Sequence, residues 1–400
     1  MDNKIIKFIQ EHINDDVLKL SLQSHRYPDI DMQFAIRQIV GLQKTKNKMP
    51  SLYNNLNLLF PRQLSIEQSS SEITAKYKAS LFRGESFADL SGGFGIDYLF
   101  ISQKFKHGLY VERNEELCRL AANNFKILEI DSFEIHHADS DKFLEIMPRV
   151  DLIYIDPHRR SESGKKTIKI SDCEPDVSVL CGKMLAKSQN VMIKLSPMLD
   201  IHQAISELSK IKEIHILSVE NECKETLLIL DGNINEESDY NSNSIRIITN
   251  NFDKYGTNQV FSFTLDDEKK SEVQFASYPE HYLYEPNSSI MKSGAFRTIS
   301  SRFGLRKFHV NTHLYTGDKL INDFPGRIFK IDKVFGSTKS DLKKIAVQIP
   351  KANISIRNYP LSVEEFKRKT GIKDGGDVYL FALQDNTNKF TILACQKVVI

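Results

Sequence analysis

Between Ser86 and Lys210 short β-rich runs alternate with helical ones, and this rhythm limits the possible folds more than any other feature of the chain. The β-rich runs fall at 86–90, 108–112, 133–138, 150–155 and 190–195; helical patterns occupy 96–105, 115–129, 140–147, 175–187 and 201–210. Parallel strands need a crossover between them, so alternation of this kind predicts a parallel sheet with helices on both faces. Two further runs, 213–219 and 226–230, are joined by the polar stretch 220–225 with no helix between. They predict a closing antiparallel hairpin, which brings the strand count to seven.

The flanks read differently. Residues 1–80 are predicted to be helical, with Ile5, Ile6, Phe8, Ile9 and Ile13 on one side of a first helix and a second apolar series from Phe34 to Leu42. A third helix is expected over Ser71–Phe82, with Ser69, Ser70 and Ser71 offering caps and Glu72 and Lys76 paired at i,i+4. The polar stretch Asp231–Asn243 is the linker candidate. Beyond it lie strands near 245–249, 259–264 and 272–276, a helix near 286–303, and a β-α-β-α-β-β series from Arg327 to Val399.

A chain of 400 residues exceeds one ordinary core, so two or three domains are expected. With 40% hydrophobic and 26% charged residues, wholesale disorder is excluded. Five scattered cysteines form no CxxC pair and have no histidine at ligand spacing, which speaks against both a zinc site and a disulfide framework. No metal is expected. The amino terminus mixes charge into every turn, and no run reaches the length of a membrane span, so a cytoplasmic protein without a membrane partner is expected.

The chemistry is concentrated at strand ends. Asp89-Leu-Ser91-Gly92-Gly93-Phe-Gly95 follows the first strand and opens a helix, where an open α/β sheet takes its ligand. The second strand ends in Glu112, a carboxylate where a ribose diol would lie. A dinucleotide fingerprint needs a third glycine three residues after Gly95, and Tyr98 stands there, so NAD is disfavoured. The Gly-Lys-Ser/Thr of a phosphate loop is also missing, which disfavours ATP. A ligand without phosphates fits best.

Asp89-x-x-x-Gly93-x-Gly95, Glu112, Ala138-Asp139 and Asp156-Pro157 together resemble motifs one to four of the class I S-adenosylmethionine-dependent methyltransferases, over residues 68–232. The resemblance implies a Rossmann-like seven-stranded methyltransferase sheet and S-adenosylmethionine as cofactor. It implies that the turn carrying Asp89, Ser91, Gly92, Gly93 and Gly95 accommodates the methionine part, that Glu112 binds the ribose, and that Asp139 contacts the adenine amine. Ser91 departs from the pattern, since many members have glycine there.

The fourth strand runs into Asp156-Pro157-His158-Arg159, the candidate catalytic loop; Arg160, Lys194 and Pro197 are candidates for holding the substrate. Methyl transfer is an in-line displacement, so the protein mainly aligns the acceptor and receives a proton. Asp-Pro-x-Arg resembles the loop of RNA uracil-C5 methyltransferases and of some tRNA purine enzymes. The uracil enzymes need a cysteine after the fifth strand, but Lys194-Leu-Ser-Pro197 stands here. A nitrogen or hydroxyl acceptor, without a cysteine nucleophile, is expected.

From Phe324 onward 14 Lys and Arg face 7 Asp and Glu, a balance of +7 against +2 for the whole chain. The cluster includes Lys339, Lys343, Lys344, Lys351, Arg357, Lys367, Arg368, Lys369 and Lys373, and a phosphate backbone is a plausible partner. Together with Tyr282-Leu-Tyr-Glu-Pro286, Ala295–Leu305, Asn358–Leu361 and Lys373–Leu380, this part resembles a bacterial methyltransferase-like group with ferredoxin-like and THUMP-like C-terminal domains. That resemblance implies an RNA substrate, tRNA or rRNA. The expected division is 1–80 helical, 81–232 methyltransferase, 244–323 ferredoxin-like α+β and 324–400 THUMP-like α+β. A small-molecule methyltransferase and a non-catalytic RNA-binding protein that retains the fold remain the alternatives.

Overall fold

The computed structural model describes residues 2–130, 132–159, 169–235 and 240–399. The chain forms two compact units, Met1–Lys212 with Leu227–Tyr240, and Glu213–Thr226 with Asn241–Ile400.

The first unit opens with six helices: α1 Asn3–His12, α2 Val17–Leu22, α3 Met32–Lys48, α4 Pro50–Tyr53, α5 Gln63–Gln68 and α6 Glu72–Leu81. Asp2, Asp16, Asp31 and Ser71 start α1, α2, α3 and α6 by accepting hydrogen bonds from otherwise orphaned backbone N–H groups. The predicted Glu72–Lys76 pair on α6 forms at 2.6 Å.

Strands and helices then alternate: β1 Gly84–Asp89, α7 Ile96–Ser102, β2 Phe105–Glu112, α8 Glu115–Ile127, β3 Phe133–His137, α9 Ser140–Ile146 and β4 Val150–Ile155. A two-residue ribbon follows, β5 His158–Arg159 against β6 Cys173–Glu174. After it come α10 Val177–Lys187, β7 Ser188–Leu195, α11 Ile201–Glu207, β8 Ile211–Val219 and β9 Glu222–Asp231. The strand order is β8-β9-β7-β4-β1-β2-β3, with β8 and β9 belonging to this unit at their bases, Ile211–Lys212 and Leu227–Asp231. These seven strands follow the expected Rossmann-like order but belong to a sheet of nine strands, where seven were expected. The pairs β1–β2, β1–β4, β2–β3 and β4–β7 are parallel, so Asp89, Glu112, His137, Ile155 and Leu195 end side by side on one edge. Phe87, Ala88, Val111, Leu152, Ile153 and Ile193 are fully buried in the middle of the sheet. Each of the large side chains among them contributes roughly 1.5–3 kcal/mol by leaving water.

In the second unit β8 turns into β9 through Glu220 and Asn221, both with positive φ (51° and 64°). The hairpin therefore has a two-residue turn where the sequence had suggested a longer polar connection. The next elements are β10 Arg246–Phe252, β11 Asn258–Thr264, α12 Leu265–Lys270, β12 Tyr282–Pro286, α13 Ser288–Ser293, α14 Phe296–Phe303, β13 Arg306–His309 and β14 Thr312–Gly317. They lead to β15 Gly326–Phe335, α15 Lys339–Gln348, β16 Lys351–Arg357, α16 Val363–Thr370, β17 Lys373–Gln384 and β18 Phe390–Lys397, the β-α-β-α-β-β series anticipated above. β10 pairs in parallel with β8, Arg246 opposite Glu213, and antiparallel with β11. A separate sheet has the order β13-β14-β12-β15-β18-β17-β16.

Two further local expectations need correction. Residues 272–276 form only an isolated bridge, Phe275 to Lys307 of β13, rather than a strand. The single helix expected over 286–303 is two: Asn287 caps α13, and Gly294 at φ +76° stops it before α14 begins. The short strands β13 and β14 were not anticipated from the sequence.

Candidate active site

The β1 turn and the β2 carboxylate are bound to each other. Gly93 N–H donates to Glu112 Oε2 at 2.9 Å, and Asn114 N–H to Oε1 at 2.8 Å, so the carboxylate is fixed at its strand end. Tyr110 Oη–H donates to the Gly93 carbonyl at 2.6 Å. Gly92 allows that approach, because a Cβ there would lie 2.3 Å from the Tyr110 ring. Gly93 has φ +56° and faces open space, with the Ser91 carbonyl at 3.5 Å as the near neighbour of any added Cβ. The result is a backbone cradle that a side chain would fill.

Ser91 ties two strand ends together. Its amide and hydroxyl donate to Asp89 Oδ1 at 2.9 and 3.3 Å, while its Oγ accepts the Asp156 N–H at 2.6 Å. The residue that departs from the common pattern thus fixes the β4 loop against the β1 turn. Asp89 is 1% exposed, and burial pushes its carboxyl up to about 8 against the stabilising Ser91 amide, with the Asp97 and Asp156 charges adding to the rise.

At the next strand ends, Asp156 follows β4 and Lys194 lies near the end of β7, where parallel pairing brings them together in a short ion pair. The Asp156 side chain keeps about a third of its surface accessible, 34%, whereas that of Lys194 keeps 10%. Burial raises the Asp156 carboxyl, and Lys194 pulls it the other way. Pro157 is buried behind this pair; Pro197 sits half-buried in the turn after β7.

His158 is exposed, and its Nε2 accepts from Arg113 Nη2 at 2.8 Å, which requires an unprotonated Nε2. Arg113 also pairs with Glu174 across the β5–β6 ribbon. Asp139 follows β3 and is half-exposed, its carboxylate engaged by Lys142 at 3.0 Å. Of the other candidates, Arg160 and the polar stretch 161–166 lie outside the described residues, as does the side chain of Arg159, whose backbone belongs to β5.

Five functional-looking residues escaped sequence reasoning: Ser70, Lys78, Asp97, Tyr154 and Arg113. The first four form one cluster centred on the Asp97 carboxylate. Asp97 accepts from Ser70 Oγ at 2.7 Å and from Tyr154 Oη at 2.6 Å, pairs with Lys78 at 2.9 Å, and lies 3.7 Å from Lys194. Burial would raise its carboxyl, yet Lys78 and Lys194 hold it below the ordinary carboxylate range. Asp97 stands two residues after the last glycine of the turn, a proximity that could have drawn notice. Lys78 lies in a helix that no motif covers.

Among the described residues no group of three or more His, Cys, Asp or Glu could hold a metal, and no helix is long and apolar enough to cross a membrane. A cavity of about 460 Å³ lined by Ser178, Cys181, Glu207 and Lys210 shares no residue with the strand-end cluster. In the second unit Lys339, Lys343, Lys344, Lys351, Arg368, Lys369 and Lys373 are exposed. Two members of the expected basic cluster are instead engaged internally, Lys367 with Asp374 at 2.7 Å and Arg357 with Glu285 at 3.0 Å.

Comparison with known proteins agrees with this anatomy. Family models of a ferredoxin-like domain and of a THUMP domain-like module match residues 282–325 and 326–397. The crystal structure of a "putative methyltransferase" from Porphyromonas gingivalis W83 aligns over 100% of both chains at 30% identity, with a TM-score of 0.88. An rRNA methylase from Streptococcus thermophilus aligns at 11% identity over 40% of this chain and 94% of its own, with a TM-score of 0.30. M. capricolum TrmK, in complex with S-adenosyl-homocysteine, aligns at 14% over 40% of this chain and 68% of its own, with a TM-score of 0.30. No curated protein matches.

Proposed function

Since this chain belongs to the methyltransferase family of the Porphyromonas gingivalis protein, we propose that it transfers a methyl group from S-adenosylmethionine to a nitrogen or hydroxyl of RNA. One observation carries the reading: Asp89, Ser91, Glu112, Asp156 and Lys194 converge on a single sheet edge, with the cradle of Gly93 open beside them.

The cofactor supplies an electrophilic methyl group on a sulfonium. In this reading Gly92, Gly93 and Gly95 receive its methionine part, the pre-oriented Glu112 carboxylate takes the ribose hydroxyls, and Asp139 lies toward the adenine. Asp156 has its backbone fixed by Ser91 and its carboxylate by Lys194, so it is placed to orient the acceptor. A carboxyl raised by burial is also a better proton acceptor than a free one. His158, the other candidate of the loop, is held by Arg113 through Nε2. Pro157 and Pro197 shape the walls; Arg159 and Arg160 are the proposed cationic contacts to the substrate, and Lys194, expected from the sequence to share that role, is instead held against Asp156.

The RNA assignment is supported by the THUMP domain-like match over 326–397 and by the exposed lysines of that segment. It keeps the division into 1–80, 81–232, 244–323 and 324–400 as the working map. The test is transfer of labelled methyl to RNA from cells lacking the protein, with mass spectrometry of the nucleosides. Transfer lost in Asp156→Ala, and calorimetric binding of S-adenosylmethionine lost in Glu112→Ala, are expected. Failure of the wild-type protein to bind the cofactor sinks the proposal; cofactor binding with methylation of small molecules alone replaces RNA by the other substrate class.

A further inference from the structure

A chain of four charged side chains runs inward from the site, and most of it is buried. Lys78 on α6 is fully buried, Asp97 on α7 and Lys194 on β7 are each 8% exposed, and Asp156 alone reaches the cleft. Signs alternate along it: Lys78 to Asp97 at 2.9 Å, Asp97 to Lys194 at 3.7 Å, then the short pair to Asp156. Ser70 knits the chain together, accepting from Lys78 at 2.8 Å and Lys194 at 3.3 Å while donating to Asp97 at 2.7 Å. Tyr154, two residues before Asp156 on the same strand, donates to Asp97 from the other side.

We infer that Ser70, Lys78 and Asp97 are positioning residues for Asp156, acting through Lys194 to hold its carboxylate at the cleft in one orientation and one charge state. Stability alone is a poor account of such a chain. Buried ion pairs seldom outperform well-packed apolar side chains of the same volume, because desolvation offsets their attraction. What the chain does uniquely is divide Lys194 between two carboxylates. With Lys78 in place, Asp97 has a second cation and Lys194 can lean toward Asp156. Remove Lys78, and Lys194 is left to balance Asp97 as well as Asp156. Remove the Asp97 charge, and Lys194 belongs to Asp156 entirely. Asp89, protonated or not, contributes a further carboxyl from β1.

The inference rests on Asp156 being the group that meets the acceptor, but its test needs no substrate, so its failure is distinct from a failure of methyl transfer. Carbon-13 labelling of aspartate carboxyls, with the Asp156 signal assigned through Asp156→Asn, gives the titration midpoint of that group in the free full-length protein. Lys78→Met is expected to move the midpoint up and Asp97→Asn to move it down, each by about one pH unit for charges this close in a partly buried setting. Lys78→Arg, which keeps the charge, should restore a value near wild type, and Lys106→Met, which breaks an exposed pair with Glu85, should leave it in place. Shifts of the same sign in Lys78→Met and Asp97→Asn, or none in either folded variant, overturn the inference. If both variants fail to fold, the unmutated protein decides: the Asp97 carboxyl must stay ionised throughout the range over which Asp156 titrates, and a protein in which Asp97 protonates first refutes the arrangement.

Discussion

Asp89 shows how much one residue's surroundings can say that its identity does not. The sequence placed an acid ahead of the glycine turn; burial makes it an acid with an ordinary pKa of 3.8 raised to about 8. A carboxyl whose folded value lies above its unfolded one contributes stability in full below the unfolded value and loses it as pH rises through the folded one. The Asp89 contribution to the unfolding free energy of the cofactor-free protein should therefore fall between about pH 4 and pH 8. Urea melts of Asp89→Asn across that range are expected to be flatter than wild type, and parallel profiles refute the assignment. Glycine turn, Glu112 and the Asp156–Lys194 strand ends were legible because each is a local signal next to a strand. Ser70, Lys78 and Asp97 were not, since their meaning lies in partners many residues away, as with the 124-residue separation between Ser70 and Lys194. Ser91 was legible only as an exception, and its hydroxyl bridge explains why a glycine is absent.

Elements obey the same division between local and distant causes. The alternation after Ser86 fixed the parallel sheet because strand and helix periods differ and each crossover demands a helix. The helix at 286–303 was misjudged because its break depends on one glycine adopting a left-handed conformation, whereas β13 and β14 are short strands, 4 and 6 residues, with little periodicity to detect. The turn between β8 and β9 yields a prediction at this scale. Glu220 is held at φ 51° and Asn221 at φ 64°, the requirement of a two-residue turn matched to strand twist. Glutamate pays a conformational penalty there that glycine does not. Glu220→Gly is expected to raise stability by about 0.5–1 kcal/mol despite the added freedom of the unfolded chain, and a lowered Tm contradicts that reading.

At the level of the molecule, charge is unevenly spread, with the balance of +7 after Phe324 exceeding the +2 of the whole. Lys343 and Lys344 are exposed on α15, so they are available to phosphates. If they neutralise two phosphates, Lys343→Ala combined with Lys344→Ala should weaken RNA binding across sequences and shallow the dependence of log affinity on log salt by roughly 1.4–1.8. An unchanged slope excludes this face from the interface. The route of the chain has an evolutionary corollary. It passes from one unit to the other at 212–213, returns at 226–227 and leaves again at 240–241, and β8 finds its parallel neighbour in β10, beyond the last of these points. A lineage that discarded everything after residue 240 would bare the Glu213–Val219 edge, an invitation to pair with other chains. Exchange of the carboxy-terminal part as a cassette therefore exposes an unpaired β8 edge that any replacement has to cover.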